Sequence, residues 1–348
     1  YKVMGLSSYG KPIYVDKINK LVKFDNKNLF RLNLDYFKHH NEGVEMSWLD
    51  GEPKLGDVFS NKLVDLLGHP RDKDEKIDSR HMDIASSTQI VFEEITLKIL
   101  NRLYELNNSD NLCLSGGCAM NSVFNGKILQ NTKYKNIYIN HSPGDSGGSI
   151  GAGMITLNKV YKRIVKIDDT PYLGPSYSMD EIKLILDTYN EKFEKLNIKI
   201  IKFNDTNELV NSIAKNLSLN KVIGLFEGRM EFGSRALGNR SIICDPRNPN
   251  IKDLLNLKIK NREQFRPFAP SVLLESINDW FENNDDSPFM SKVHKIKKEK
   301  ANLVPGVVHV DGTCRLQSVS RAQNLLYYNI IEKFKEITSV PMILNTSF

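Results

Sequence analysis

The fold class of this chain is decided by one segment, Asn111-Leu112-Cys113-Leu114-Ser115-Gly116-Gly117-Cys118-Ala119-Met120-Asn121. A short apolar run that ends in Ser-Gly-Gly is typical of a buried strand followed by a tight turn. A helix-like segment over 119–129 follows, and the same order recurs as strand 136–140, turn 143–148 and helix 150–161. Two strand–turn–helix units in succession predict an α/β fold that binds ligands at the turns.

Further elements extend this pattern in both directions. Upstream, apolar residues at spacings of three and four predict a helix over 88–106, with a capping box at Ser86-Ser87-Thr88-Gln89; the apolar face consists of Val91, Ile95, Ile99, Leu103 and Leu106. Downstream, the pattern predicts helices 179–193 and 206–219 and strands 198–203, 222–226 and 342–348. Prolines and glycines between 166 and 178 break any helix there, so we predict two α/β domains, 1–168 and 169–348.

Composition narrows the class of protein. With 348 residues, 40% apolar and 26% charged, the chain has the size and balance of a two-domain globular protein. The net charge of +6 fits small anionic ligands, and the lack of a basic tract interleaved with aromatic residues argues against nucleic acid. No apolar run has the roughly 18 residues that a membrane span needs. Four cysteines without CxxC spacing predict buried thiols in a reducing compartment, hence a cytoplasmic location: Cys113, Cys118, Cys244 and Cys314.

An arginine-rich stretch between 228 and 270 carries the strongest chemical signal. Its arginines are interleaved with glycine, phenylalanine and proline rather than with acidic residues at helical spacing: Arg229, Arg235, Arg240, Arg247, Arg262 and Arg266. Guanidinium groups held between glycine turns and apolar anchors suit bidentate binding of phosphate or carboxylate oxygens. The pattern favours an anion-binding site over the alternative, a structural network of ion pairs.

The glycine turns leave two interpretations open. Gly116 and Gly117 precede a helix, where free N–H groups stabilise an anion, but the glycine pair taken alone favours a tight turn with positive φ. Neither the P-loop nor the Rossmann motif is present. Asp145, in Pro143-Gly144-Asp145-Ser146-Gly147-Gly148, is either a helix N-cap or an oxygen ligand for a divalent metal. His81 and His141 show no metal-site spacing and are interpreted as structural, and the pair at 39–40 as surface residues.

Taken together, these motifs resemble the O-carbamoyltransferase family, which includes the nodulation and antibiotic-tailoring carbamoyltransferases. The match runs in order along nearly the whole chain, through Val3-Met4-Gly5-Leu6-Ser7-Ser8-Tyr9-Gly10, Asp83-Ile84-Ala85-Ser86-Ser87-Thr88-Gln89, residues 114–121, 144–148, 228–241, 265–270 and 311–317, and Asn345-Thr346-Ser347-Phe348. The resemblance implies the C-terminal part of an actin/Hsp70-like ATPase domain, similar to the universal tRNA-threonylcarbamoylation protein, followed by a YrdC-like α/β domain.

The resemblance also implies a reaction and its ligands. The YrdC-like domain would join carbamoyl phosphate and ATP, with Mg²⁺, into carbamoyl adenylate, and the first domain would pass the carbamoyl group to an acceptor hydroxyl near Fe²⁺ or a similar divalent metal. Carried over by motif, the catalytic residues would be Arg235, Lys260, Arg266 and Arg315. The cofactor-binding residues would be Gly116, Gly117, Asn121, Arg229, Arg262, Asn345 and Ser347, and the metal ligand Asp145.

Two departures from the family pattern shape these expectations. Because the chain starts at Tyr1 and stops at Phe348 within an SxN-like element, we expect an internal piece of a longer chain, inactive in carbamoyl transfer by itself. The family's histidine metal ligands would lie upstream of Tyr1, and so would the first strands of the ATPase-like domain. Two alternatives stay open: a hydrogenase-maturation carbamoyltransferase, whose paired CxxC motifs are not seen, and a non-catalytic nucleotide-binding module. The acceptor and the oligomeric state are left open.

Overall fold

The computed structural model describes residues 2–25, 29–72, 74–164, 169–283 and 285–348. The strands are β1 Val22–Asp25, β2 Leu29–Leu32, β3 Met46–Leu49, β4 Glu52–Leu55, β5 Asn111–Leu114, β6 Asn136–Ile139, β7 Ile223–Phe226, β8 Arg240–Cys244, β9 Ala269–Leu273, β10 His294–Lys295, β11 Thr313–Cys314, β12 Gln317–Val319 and β13 Met342–Ser347. The helices are α1 Lys2–Leu6, α2 Val15–Ile18, α3 Asn61–Leu67, α4 Ser79–Asn107, α5 Ser122–Asn125, α6 Ile128–Asn131, α7 Gly148–Tyr161, α8 Met179–Thr188, α9 Asn190–Lys195, α10 Thr206–Ser218, α11 Ile251–Asp253, α12 Ile277–Trp280, α13 Lys298–Ala301 and α14 Leu325–Thr338.

The chain is a mixed α/β protein with several sheets, as the sequence predicts at the level of fold class. It divides into two compact units, residues 1–110 with 128–134 and residues 111–127 with 135–348. The predicted domain boundary adjoins residues 165–168, which lie outside the described residues. The assignment of an ATPase-like and a YrdC-like domain stays a prediction.

The first unit is organised by α4, which begins nine residues before the predicted helix. Its N-cap is Asp78, whose carboxylate accepts from the His81 backbone N–H at 3.1 Å, while His81 Nδ1 accepts from the Asp78 N–H at 3.2 Å. The capping box predicted at Ser86–Ser87 is therefore wrong. Ser87 is buried inside the helix, where its hydroxyl accepts from the Tyr14 backbone N–H at 2.9 Å and donates to Asp83 at 2.7 Å.

In the second unit, β5 and β6 pair in parallel, and α7 follows the second glycine turn, as predicted. The single predicted helix 119–129 is instead broken into a short 3₁₀ turn, Gly117–Met120, then α5, and then α6, which belongs to the first unit. Close packing explains the break after α5, because a Cβ on Gly126 would lie 2.3 Å from the Val293 carbonyl oxygen.

A five-stranded sheet with order β12-β9-β13-β8-β7 forms the core of the second unit. Only β12 and β9 are parallel, whereas β13 lies between β9 and β8 and is antiparallel to both. Helices α10 and α14 pack against each other and contribute fully buried side chains, among them Leu217, Ile331 and Phe334. Burying a side chain of this size stabilises the fold by roughly 1.5–3 kcal/mol.

Two sequence predictions fail in this unit. Residues 198–203 form no strand, and Ile198, Ile200 and Ile201 are exposed, because no described strand pairs with this alternating segment. The cysteines divide evenly: Cys244 and Cys314 are buried, as predicted, but the other two are exposed. Among the described helices, none is both long and apolar enough to cross a membrane.

Candidate anion-binding site

Arg315 lies between β11 and β12 and is the centre of a cluster of positive charge in the second unit. Burial lowers the pKa of its guanidinium well below the ordinary value, and the charges of Arg235, Arg262 and Arg266 lower that pKa further. Arg315 Nε is buried without a hydrogen-bond partner among the described residues. Like charges gathered in a half-buried place destabilise one another, so the arrangement favours a bound anion.

Arg262 is held in place by Asn256, which also bonds to the backbone of the residues that follow Arg262. The Asn256 side chain is fully buried, its Oδ1 accepts from Arg262 Nε at 2.7 Å, and its Nδ2 donates to the carbonyls of Gln264 and Arg266 at 3.3 and 3.2 Å. The guanidinium carbon lies 4.6 Å from the centre of the Phe268 ring. Burial, with Arg266 beside it, lowers the pKa of Arg262 to about 10.

Lys260 and Arg266 complete the cluster. Lys260 Nζ donates to the Ser347 carbonyl oxygen at 2.6 Å, so two residues carried over from the family motifs meet at the end of β13. Burial lowers the pKa of Lys260, and the charges of Arg262 and Arg266 add to the effect. Arg266 Nη1 lies 3.9 Å from a Glu263 carboxylate oxygen, near the upper limit for an ion pair.

Arg235 sits in a loop between Glu231 and β8. It is half-buried, burial lowers its pKa, and no described residue forms a hydrogen bond or ion pair with its guanidinium. Ser234, just before it, donates to Met120 Sδ at 3.7 Å. This contact brings the Gly117–Met120 turn beside the arginine loop within one unit.

The other arginines of the stretch have structural partners. Arg229 donates to the carbonyls of Gly174 and Leu173 at 3.0 and 2.8 Å, and Arg240 stacks 3.6 Å from the Phe226 ring centre. Arg247 makes a bidentate pair with the buried Asp245 carboxylate, at 3.0 and 2.6 Å. The stretch therefore contains two kinds of arginine: some are clustered, as the anion-binding interpretation expects, and others have structural partners, as the alternative expects. A ligand role for Arg229 stays a prediction.

The first glycine turn is open to solvent. Gly116 has φ 92°, and Cβ atoms placed on Gly116 or Gly117 would meet nothing within 4 Å. Asn121 Oδ1 caps α5 by accepting from the Phe124 backbone N–H at 3.0 Å. The positive φ of Gly116 agrees with the tight-turn interpretation, and the ligand role of Gly116, Gly117 and Asn121 stays a prediction.

Asp145 is exposed in a 3₁₀ turn, and Gly144 and Gly147 occupy the N-cap positions of that turn and of α7. The capping interpretation is therefore not what the fold uses. Across the described residues, no three His, Cys, Asp or Glu side chains gather where they could hold a metal. These residues do not by themselves fit the expected metal, so the ligand role of Asp145 stays a prediction and no chemical step is derived from it.

Asn345 lies in the middle of the sheet, not on its surface. Its Nδ2 donates to the carbonyl of Ala236 at 3.1 Å and to Ser271 Oγ and Gln317 Oε1 at 3.1 and 3.2 Å. The side chain thus ties β13 to the residue that follows Arg235. The fold brings Asn256 and Asn345 to their hydrogen-bond partners. The sequence analysis identified Asn345 through its motif, but no sequence pattern identified Asn256.

His309 lies next to the cluster and gives a pH-dependent prediction. Burial lowers its pKa from 6.5 to about 4; Asp311 opposes this, whereas Arg315 and Lys252 add to it. Between these pH values the unfolded chain binds a proton that the folded one does not, so stability falls as pH falls from 6.5 to 4, by at most about 3 kcal/mol.

Replacing His309 with glutamine should remove this contribution, so the variant's free energy of unfolding should fall less steeply over that range. Denaturant unfolding at pH 7, 5.5 and 4.5 measures the difference, with His40→Gln, an exposed position, as control. Parallel curves for the His309 variant and the unmodified protein would show that His309 is not the titrating group.

Comparisons with known proteins give the family relations of this chain. Family models described as carbamoyltransferase N-terminus and carbamoyltransferase C-terminus match residues 1–154 and 214–348. The whole chain aligns with uncharacterized protein sll1178 of Synechocystis (38% identical, 58% of that protein) and with nodulation proteins NolO of Bradyrhizobium diazoefficiens (32%, 59%) and NolNO of Sinorhizobium fredii (33%, 48%). The chain therefore spans about half the length of these curated relatives.

The two family models, which match the N-terminal and C-terminal parts of the chain, place it in a class of transferases. The chain belongs to the carbamoyltransferase family.

Proposed function

We propose that this protein is an ATP-dependent O-carbamoyltransferase that acts through carbamoyl adenylate. The observation that carries the proposal is a cluster of cationic side chains in one place: Arg235, Lys260, Arg262, Arg266 and Arg315. Burial lowers the pKa values of Arg235, Lys260, Arg262 and Arg315, and neighbouring positive charges add to the effect at Lys260, Arg262 and Arg315. Carbamoyl phosphate and a triphosphate bring several negative charges to one place. Fixed guanidinium groups stabilise that charge during phosphoryl transfer without needing to reorganise.

The proposed reaction balances in three steps. Water cleaves carbamoyl phosphate at phosphorus, giving carbamate and inorganic phosphate. A carbamate oxygen then attacks the α-phosphorus of ATP, and pyrophosphate leaves as carbamoyl adenylate forms. Finally an acceptor hydroxyl attacks the carbamoyl carbon, AMP leaves, and the hydroxyl proton goes to solvent. The clustered cations would bind the donor phosphates, and no covalent protein nucleophile is needed.

The nucleotide end of the site is proposed at the first glycine turn. Gly116 and Gly117 leave room for a ribose or phosphate, and Asn121 fixes the start of the following helix. The contact between Ser234 and Met120 supports an adenylate that reaches from this turn to Arg235. Mg²⁺ would enter with the triphosphate, and the acceptor is proposed to be a small molecule or a sugar.

Replacing Arg235 with alanine tests the proposal in the full-length protein. A charge-assisted hydrogen bond contributes about 1.5–3 kcal/mol, so exchange of pyrophosphate into ATP that depends on carbamoyl phosphate should fall by about 10- to 150-fold. The control is Arg102→Ala, which removes an exposed arginine paired with Glu105 and should leave exchange unchanged. Absence of any such exchange in the unmodified protein would favour a non-catalytic nucleotide-binding module.

A further inference from the structure

Glu231 is a buried carboxylate that pairs with no cation among the residues that the structure describes. Its side chain is 7% exposed. One oxygen, Oε1, accepts from the backbone N–H groups of Leu237, Asn239 and Arg240 at 2.7, 2.9 and 3.4 Å. Several N–H donors on one carboxylate hold its charge in place, since such bonds are about twice as strong as neutral ones. The carboxylate therefore joins the start of the loop 231–240 to its end.

The same loop is closely packed at both ends. A Cβ on Gly233, which has φ 150°, would lie 2.6 Å from the His141 carbonyl oxygen. A Cβ on Gly238, with φ 117°, would lie 2.6 Å from the Tyr327 ring. Positive φ and close approach together require glycine at both positions. The loop that contains Arg235 is therefore fixed by close packing on both sides of that residue.

Further hydrogen bonds fix the end of the loop. The Leu237 carbonyl accepts from Tyr172 Oη at 3.0 Å and from Gln317 Nε2 at 2.9 Å. The Ala236 carbonyl accepts from Asn345 Nδ2 at 3.1 Å. These contacts position the backbone directly after Arg235, and none of them uses its guanidinium.

We propose that Glu231 is a positioning residue of the anion site. Its carboxylate fixes the loop that carries Arg235 by accepting hydrogen bonds from backbone N–H groups, and it does not pair with Arg235 itself. A carboxylate paired with Arg235 would compete with the ligand. A carboxylate bound to the backbone stabilises the loop and leaves the guanidinium unneutralised. This inference rests on the proposed function, since it assigns Arg235 to carbamoyl phosphate.

A double-mutant cycle in the full-length protein tests the proposal, with carbamoyl phosphate alone as the probe in equilibrium binding. We expect Glu231→Ala to weaken binding about tenfold or more. Glu231→Gln keeps an acceptor oxygen and should stay within about threefold of the unmodified protein. In an Arg235→Ala background, Glu231→Ala should weaken binding by no more than about twofold, because the residue it positions is absent. Glu282→Ala, which removes an exposed carboxylate paired with Lys295, is the matched control.

The outcomes separate the two claims. If Arg235→Ala weakens binding but Glu231→Ala has the same fold effect in both backgrounds, the positioning role is overturned and the proposed function stands. If Arg235→Ala binds carbamoyl phosphate normally, both fall. Should Glu231→Ala fail to fold, Glu231→Asp, which shortens the side chain by one methylene, replaces it in the cycle with the same expected dependence on Arg235.

Discussion

Replacing Arg315 with methionine is expected to change stability and ligand binding in opposite directions. In the ligand-free protein, desolvation and the charges of Arg235, Arg262 and Arg266 all disfavour the charged form of Arg315. An apolar side chain of similar length removes these costs, so the free energy of unfolding should rise by roughly 1–2 kcal/mol. Binding of carbamoyl phosphate should weaken by about 10- to 150-fold, since a charge-assisted contact is lost.

Thermal unfolding without ligand and equilibrium binding of carbamoyl phosphate measure the two effects. Arg321→Met is the matched control, because Arg321 is exposed and pairs with Glu332 at 2.7 Å. That variant should be slightly less stable and bind normally. If Arg315→Met were instead less stable and retained binding, Arg315 would be a structural residue and the cluster would lose its centre.

The sequence identified the anion-binding stretch but could not sort its arginines. Arg247 pairs with an aspartate two residues away, a local relation that can be read from the sequence. Arg229 bonds to carbonyls more than fifty residues upstream, which only the fold brings close. Residue type gives the chemistry of a guanidinium, whereas its partner depends on long-range packing.

Helices and strands could be predicted where burial determines the pattern of apolar residues. Strand β13 was predicted because its apolar run is buried. Strand β5 was predicted from its apolar run, of which Leu112 is buried, and α7 because its glycine turn marks its start. The start of α4 was missed because histidine replaces the usual Glu or Gln in its capping box. The order β12-β9-β13-β8-β7 could not be predicted, since it depends on pairings between distant segments.

A polyanion is expected to stabilise this protein strongly against heat, and the effect should depend on Arg235. Tripolyphosphate resembles the phosphate chain of ATP, and a ligand that binds only the folded state at about 100 times its Kd adds about 2.7 kcal/mol to stability. For 348 residues that corresponds to a rise in the unfolding midpoint of roughly 4 °C. Relief of repulsion among Lys260, Arg262, Arg266 and Arg315 is the physical cause.

Differential scanning calorimetry of the full-length protein measures this shift. Sodium chloride at equal ionic strength is the reference, because general screening weakens the interactions of all surface charges alike. Arg235→Ala should lose much of the shift, and Arg102→Ala, whose exposed side chain pairs with Glu105, should keep it. An equal rise with chloride, or an undiminished rise in Arg235→Ala, would mean that tripolyphosphate acts elsewhere on the surface. A specific, Arg235-dependent rise would show that the clustered cations form a site that binds a chain of phosphates.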